Sequence, residues 1–246
     1  MLQALVGFHC PECVRPVHHR AVRQPANAES VVTKALIGIN LAVAVFGAFA
    51  GGLGRGQPSQ WLYRYGLNGW AVDQGDWYRI VTSGFLHDGL LHLGFNLLAL
   101  WMIGPFLERR FGPWRYGGLA LASLLGGSMG VLLMSPRALT VGASGMVFGL
   151  FGAVAVVQRA LGIDLWRSGI GSLLAVNLAL TLLLPGISVG GHLGGLAVGS
   201  VVAALLVGLE RIRQPEWFAV GLTVIGSVGL FLGGIWAAGT WASPWF

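Results

Sequence analysis

Charge is what this sequence has least of. Aspartate, glutamate, lysine and arginine make up only 10% of its 246 residues, where soluble domains carry roughly 25%. So few charges cannot cover a water-soluble globule of this length, which argues against a soluble enzyme. The 55% apolar content likewise argues against a disordered chain or a fibre. Lysine is almost missing: of 15 basic residues, 14 are arginine and one is Lys34, which reads as base-composition bias. Against nine acidic residues the net charge is +6. The basic residues do not form a nucleic-acid stripe. They sit in short loops between apolar segments, where they set orientation in a bilayer, so no nucleic-acid partner is expected. Two cysteines, Cys10 and Cys13, are too few for a disulfide framework. The first residues are polar and lack the positive-then-apolar order of a cleaved signal peptide.

What remains is apolar and helical in pattern, with a mean hydropathy of +0.72. The fold class expected is all-α, a polytopic membrane helical bundle. Seven apolar spans are expected, at about 35–53, 87–107, 116–134, 144–157, 170–184, 192–209 and 218–238. Several approach the ~20 residues needed to cross a bilayer. The fourth is short, so it either starts below the surface or runs past Gln158. Between the first two spans, residues 54–86 mix Trp61, Tyr63, Tyr65, Trp70, Trp77 and Tyr78 with arginine and aspartate. Aromatic rings beside polar groups suit a segment lying at the membrane interface.

Seven alternating spans with a cytoplasmic N-terminus put eleven basic residues on the cytoplasmic side. Only Arg55, Arg64, Arg79 and Arg137 fall on the far side. That asymmetry predicts N-in, C-out. The location expected is the cell membrane, with the bacterial plasma membrane as the setting.

Three polar sets lie within the spans, where polar groups are costly and mark function by default. Gly142-Ala143-Ser144-Gly145 places a serine where a loop becomes a helix. The first-turn amides of such a helix have no intrahelical partners and can donate to a developing oxyanion. The plainer reading is an N-cap serine. His192 opens the sixth span on the same, non-cytoplasmic side and can act as general base for Ser144; alternatively it only packs. No acidic residue lies in the fourth or sixth span, so a Ser–His dyad is a better expectation than a triad. His92 and Asn96, spaced i, i+4 on one face of the second span, can both donate hydrogen bonds to a tetrahedral oxygen. Alternatively, they join helices. Among 40 glycines, Gly145 with Gly149, and Gly191 with Gly195 and Gly199, recur at four-residue spacing. Such stripes let helices approach closely, here the two helices carrying Ser144 and His192.

The ordered motifs HxxxN (His92, Asn96), GxSG (Gly142–Gly145) and HxxGxxxG (His192, Gly195, Gly199), across roughly residues 60–210, resemble the rhomboid family of intramembrane serine proteases. The resemblance implies a six-helix catalytic core, residues 34–210, preceded by a cytoplasmic tail, 1–33, and followed by an extra helix and tail, 211–246. It implies Ser144 as nucleophile, His192 as base, and His92, Asn96 and the Ser144 amide as oxyanion hole. It gives Glu108 a structural role. Gly142, Gly145, Phe148, Gly195 and Gly199 are expected to pack around the site. Two departures stand out. The family's Trp-Arg pair reads Tyr78-Arg79 here, after Trp77. The tyrosine that often stacks on the histidine is Phe148, which keeps a ring but no hydroxyl.

Cys10-Pro-Glu-Cys13 with His18 and His19 could supply four zinc ligands. A complete ribbon has two such cysteine pairs, and adjacent histidines are awkward as a tetrahedral pair. The segment resembles the end of a longer zinc-binding stretch in bacterial relatives. Neither a stable metal nor a cofactor is expected. The function expected is cleavage of single-pass or polytopic membrane protein substrates within the lipid bilayer, through an acyl-enzyme. The alternative is a non-catalytic rhomboid-like protein that binds transmembrane clients. A transporter would need internal repeats and deep charges, and neither is evident. Oligomeric state is left open.

Overall fold

The computed structural model describes residues 2–3, 8–9, 29–49 and 59–241. Cys10, Cys13, His18 and His19 lie outside them. Among the described residues no group of three or more His, Cys, Asp or Glu side chains is placed to hold a metal ion. Leu2–Gln3 (β1) pairs antiparallel with Phe8–His9 (β2), and Leu67 forms an isolated bridge with Thr140. All other regular structure among the described residues is helical.

The protein is a multi-pass helical membrane bundle. Among the described residues five helices are long and apolar enough to cross: α1 (Val31–Phe49), α5 (Leu90–Phe111), α6 (Pro113–Met134), α9 (Val189–Arg211) and α10 (Glu216–Trp241). Two shorter apolar helices, α7 (Ser144–Ala160) and α8 (Ile170–Leu183), complete the set. The segment expected to be interfacial folds into three short helices, α2 (Gln60–Tyr65), α3 (Gly69–Asp73) and α4 (Arg79–Thr82), followed by a 3₁₀ turn at Ser83–Phe85. Phe95, Trp101, Trp217 and Trp236 stand exposed on the spans. On a soluble monomer such apolar surface would be a liability, whereas against lipid it is the solvated face.

Local chemistry explains the boundaries. Gly112, at φ +81°, ends α5 and starts α6, and Pro113 takes the first helical position, where its missing N–H costs nothing. The fourth span does run past Gln158. At 17 residues α7 is about 25 Å long, short of a ~30 Å hydrocarbon core. It is instead enclosed by protein: Met146 to Val154 are all buried, between α6 and α9. By contrast α8 buries only Thr181. The extra helix α10 packs on α6 and α3.

Alternation of direction brings the N-terminal ends of α5, α7 and α9 together at one end of the bundle. At the other end Glu210 of α9 pairs with Arg110 of α5 at 2.6 Å and Arg115 of α6 at 3.3 Å. Glu108, also at that end and 4% exposed, accepts hydrogen bonds from the Val32 and Thr33 amides, each 2.8 Å, and from Thr33 Oγ1 at 2.7 Å. The first amides of a helix have no internal partner and its N-terminus favours negative charge. A carboxylate 75 positions away in sequence therefore completes α1. Glu108→Ala leaves these buried donors unmatched and is expected to cost about 2–4 kcal/mol, read as earlier unfolding in detergent, with Glu108→Gln intermediate.

Candidate active site

Glycine sets the geometry of the site. A Cβ added at Gly195 would strike the Gly145 carbonyl, and one at Gly199 the backbone of Gly149. The α9 stripe thus lies directly on α7, main chain to main chain. On its other side, Gly190 and Gly194 meet Gly130 and Gly126 of α6 in the same way. At one level Gly127, Gly145 and Gly191 converge: a Cβ at Gly145 would lie 3.2 Å from both Gly127 Cα and the Gly191 carbonyl oxygen. Ser144 and His192 are the next residues after or before these contacts, so two neighbouring helix ends present them side by side.

Ser144 is the first residue of α7. The N–H groups of Ser144, Gly145 and Met146 make no hydrogen bond among the described residues, as expected of a first helical turn. His192 lies one turn inside α9, which starts at Val189 because Ser188 caps it, accepting from the Gly191 amide at 3.1 Å. The ring is 8% exposed and stacks on Phe148, centroids 3.9 Å apart and planes inclined by 17°. Its Nδ1 is 2.7 Å from Thr181 Oγ1. No hydrogen bond joins Ser144 Oγ to His192 among the described residues.

His92 stands over the loop that precedes Ser144. A Cβ at Gly142 would lie 2.6 Å from Cε1 and Nε2 of His92 and 3.7 Å from Ser144 Oγ. Gly142 also has φ +125°, so a side chain there is excluded by strain and by the imidazole. Its amide donates to the Ser83 carbonyl at 2.9 Å, tying the serine loop to the interfacial segment. Asn96 is 5% exposed, and its Nδ2 donates back to the His92 carbonyl at 2.9 Å. The amide's second proton remains for another acceptor.

Two buried residues beside this group escaped the sequence reading. His87, 5% exposed, meets His92 edge to face at 5.1 Å, and both its nitrogens lack hydrogen-bond partners among the described residues. Thr181 touches His192. Thr181 had a legible signal, since it is one of few polar residues in an otherwise apolar span.

The aromatic-plus-arginine pair organises the interfacial segment. Arg79, 7% exposed, donates through Nη1 to the Tyr63 and Gly66 carbonyls at the end of α2. Its Nε and Nη2 donate to Asp76 Oδ2 at 3.0 and 2.8 Å, and the Arg79 hydrogen bond holds that carboxyl below its ordinary range. The ion pair's contribution is therefore complete above the unfolded carboxylate pKa, about 4, and is lost as pH falls through the lower folded value. Arg79→Ala is expected to speed hydrogen exchange of the α2 amides several-fold at neutral pH. In wild type the same loosening sets in only at strongly acid pH.

A family model for the rhomboid domain matches residues 74–209, more than half of the chain, so the protein belongs to the rhomboid family. Among curated relatives, it is 36% identical over 143 residues to the rhomboid protease GluP of Bacillus subtilis, covering 57% of this chain and 28% of that one. It is 35% identical over 152 residues to the rhomboid-type serine protease 2 of Emericella nidulans, covering 59% and 29%. It is 32% identical over 176 residues to the mitochondrial RHOMBOID-like protein 6 of Arabidopsis thaliana, covering 66% and 57%. The chain thus spans between about a quarter and just over half the length of these relatives.

Proposed function

We propose that this protein is an intramembrane serine endopeptidase. Ser144 Oγ attacks the scissile carbonyl carbon while His192 Nε2 takes its proton. His92, Asn96 and the Ser144 amide hold the oxyanion. The C–N bond then breaks, His192 returns the proton to the leaving amine, and water hydrolyses the acyl-enzyme by the reverse route. Substrates are transmembrane segments of other membrane proteins, approached from the bilayer. Water enters from the side where α5, α7 and α9 begin, opposite a cytoplasmic N-terminus. The observation that carries this reading is the convergence of Gly127, Gly145 and Gly191, which sets Ser144 and His192 on touching helix ends.

One observation favours the non-catalytic, client-binding alternative: Ser144 and His192 share no hydrogen bond. Resting sites often hold such pairs loosely and tighten them on substrate binding. A fluorophosphonate probe decides between the two. It is expected to label the wild type and not Ser144→Ala, and to label His192→Ala far more slowly. A wild-type protein that stays unlabelled while folded leaves the client-binding reading standing.

A further inference from the structure

Thr181 Oγ1 carries one proton and has two partners. It is 2.7 Å from the Asn177 carbonyl oxygen, one turn back on α8, and 2.7 Å from His192 Nδ1. Thr181 is 2% exposed, so bulk solvent scarcely reaches it. A carbonyl oxygen can only accept. For both contacts to be hydrogen bonds, the hydroxyl proton goes to Asn177 and Nδ1 donates its own proton to Oγ1. A neutral imidazole has one N–H, so Nε2 is then the bare acceptor. In the opposite tautomer the hydroxyl turns to Nδ1 and loses Asn177. One hydrogen bond replaces two in a buried place, which is the poorer arrangement.

We propose that Thr181 is a positioning residue that fixes His192 as the Nδ1–H tautomer and leaves Nε2 free to take the Ser144 proton. This rests on the reading of His192 as base. In three-residue sites a carboxylate holds the imidazole this way, whereas here a neutral hydroxyl on a different helix does so. Phe148 fixes the ring plane by stacking, and Thr181 fixes its proton. The two contacts come from different helices, α7 and α8, and no acidic group is among the described hydrogen-bond partners of the imidazole.

The test uses the full chain in detergent with ¹⁵N-labelled histidine, the His192 signals being those missing from a His192→Ala spectrum. In wild type, Nδ1 is expected to give the pyrrole-type and Nε2 the pyridine-type signal. Thr181→Val should mix or reverse them and slow fluorophosphonate labelling about tenfold, while Thr181→Ser restores both to near wild type. A wild-type His192 protonated at Nε2 overturns the inference whatever the variants do. So does a folded Thr181→Val with unchanged signals and rate. A tautomer change in Thr181→Val, with no labelling of wild type, would reject the catalytic reading while sustaining the hydrogen-bond assignment.

Discussion

Ser144→Ala is expected to reduce cleavage of a transmembrane reporter by about 10⁴-fold or more, and His192→Ala to do the same. The double variant should fall no further. In the proposed mechanism nucleophile and base act on one proton transfer, so removing either removes the whole step, and their effects do not add. Additive losses would mean that the two side chains serve separate tasks. His92→Ala and Asn96→Ala should each cost less, about 10²–10³-fold, because in the proposed mechanism each supplies one of several oxyanion donors. The readout is initial rate in proteoliposomes, with folding checked by thermal unfolding. A His192→Ala variant keeping a tenth of wild-type rate would remove that residue from the mechanism.

The second large effect needs no catalytic residue. Gly199→Ala adds one methyl group where the Gly149 main chain already stands. Backbone on both sides leaves nothing flexible to give way. In a helix interior the same substitution ordinarily gains ~1 kcal/mol from propensity, so the sign here is decided by packing. Separating α7 from α9 is expected to cost about 2–3 kcal/mol net, and a shift of ~1 Å between Ser144 and His192 to lower cleavage about 10²-fold. Gly208 is the internal control. It lies on the same helix, and a Cβ there meets nothing within 4 Å. Gly208→Ala should be neutral or slightly stabilising with full activity. Equal behaviour of the two variants in equilibrium unfolding in mixed micelles would show that the glycine stripe is incidental to packing.

Much of the architecture was legible because lipid imposes simple demands. Long apolar runs gave the spans, and where α5–α10 begin or end differently the shift is four residues or fewer. The causes are local: Ser188 starts α9 a turn ahead of His192, and α1 starts at Val31 rather than near residue 35. Periodicity showed that His92 and Asn96 share a face. It could not show that the Asn96 amide turns back to its own helix. The α7 and α9 stripes were visible as four-residue spacings. Gly126 and Gly130 on α6 have the same spacing, but spacing reveals a face and not which helix meets it, so their contact with Gly194 and Gly190 was not legible. The partners of Glu108 and of His192 Nδ1 are contacts between distant segments, and no local pattern encodes those.

The Glu108 contact has a consequence for biogenesis. The ribosome delivers α1 before α5, and the acceptor for its opening turn follows 75 codons later. Until α5 is inserted, the leading amides of α1 must stay at the headgroup boundary, wetted by water. Nascent α1 therefore waits, incompletely seated, for α5 to arrive. Chains truncated just before Glu108 should leave α1 extractable from the membrane, where chains ending just beyond α5 hold it.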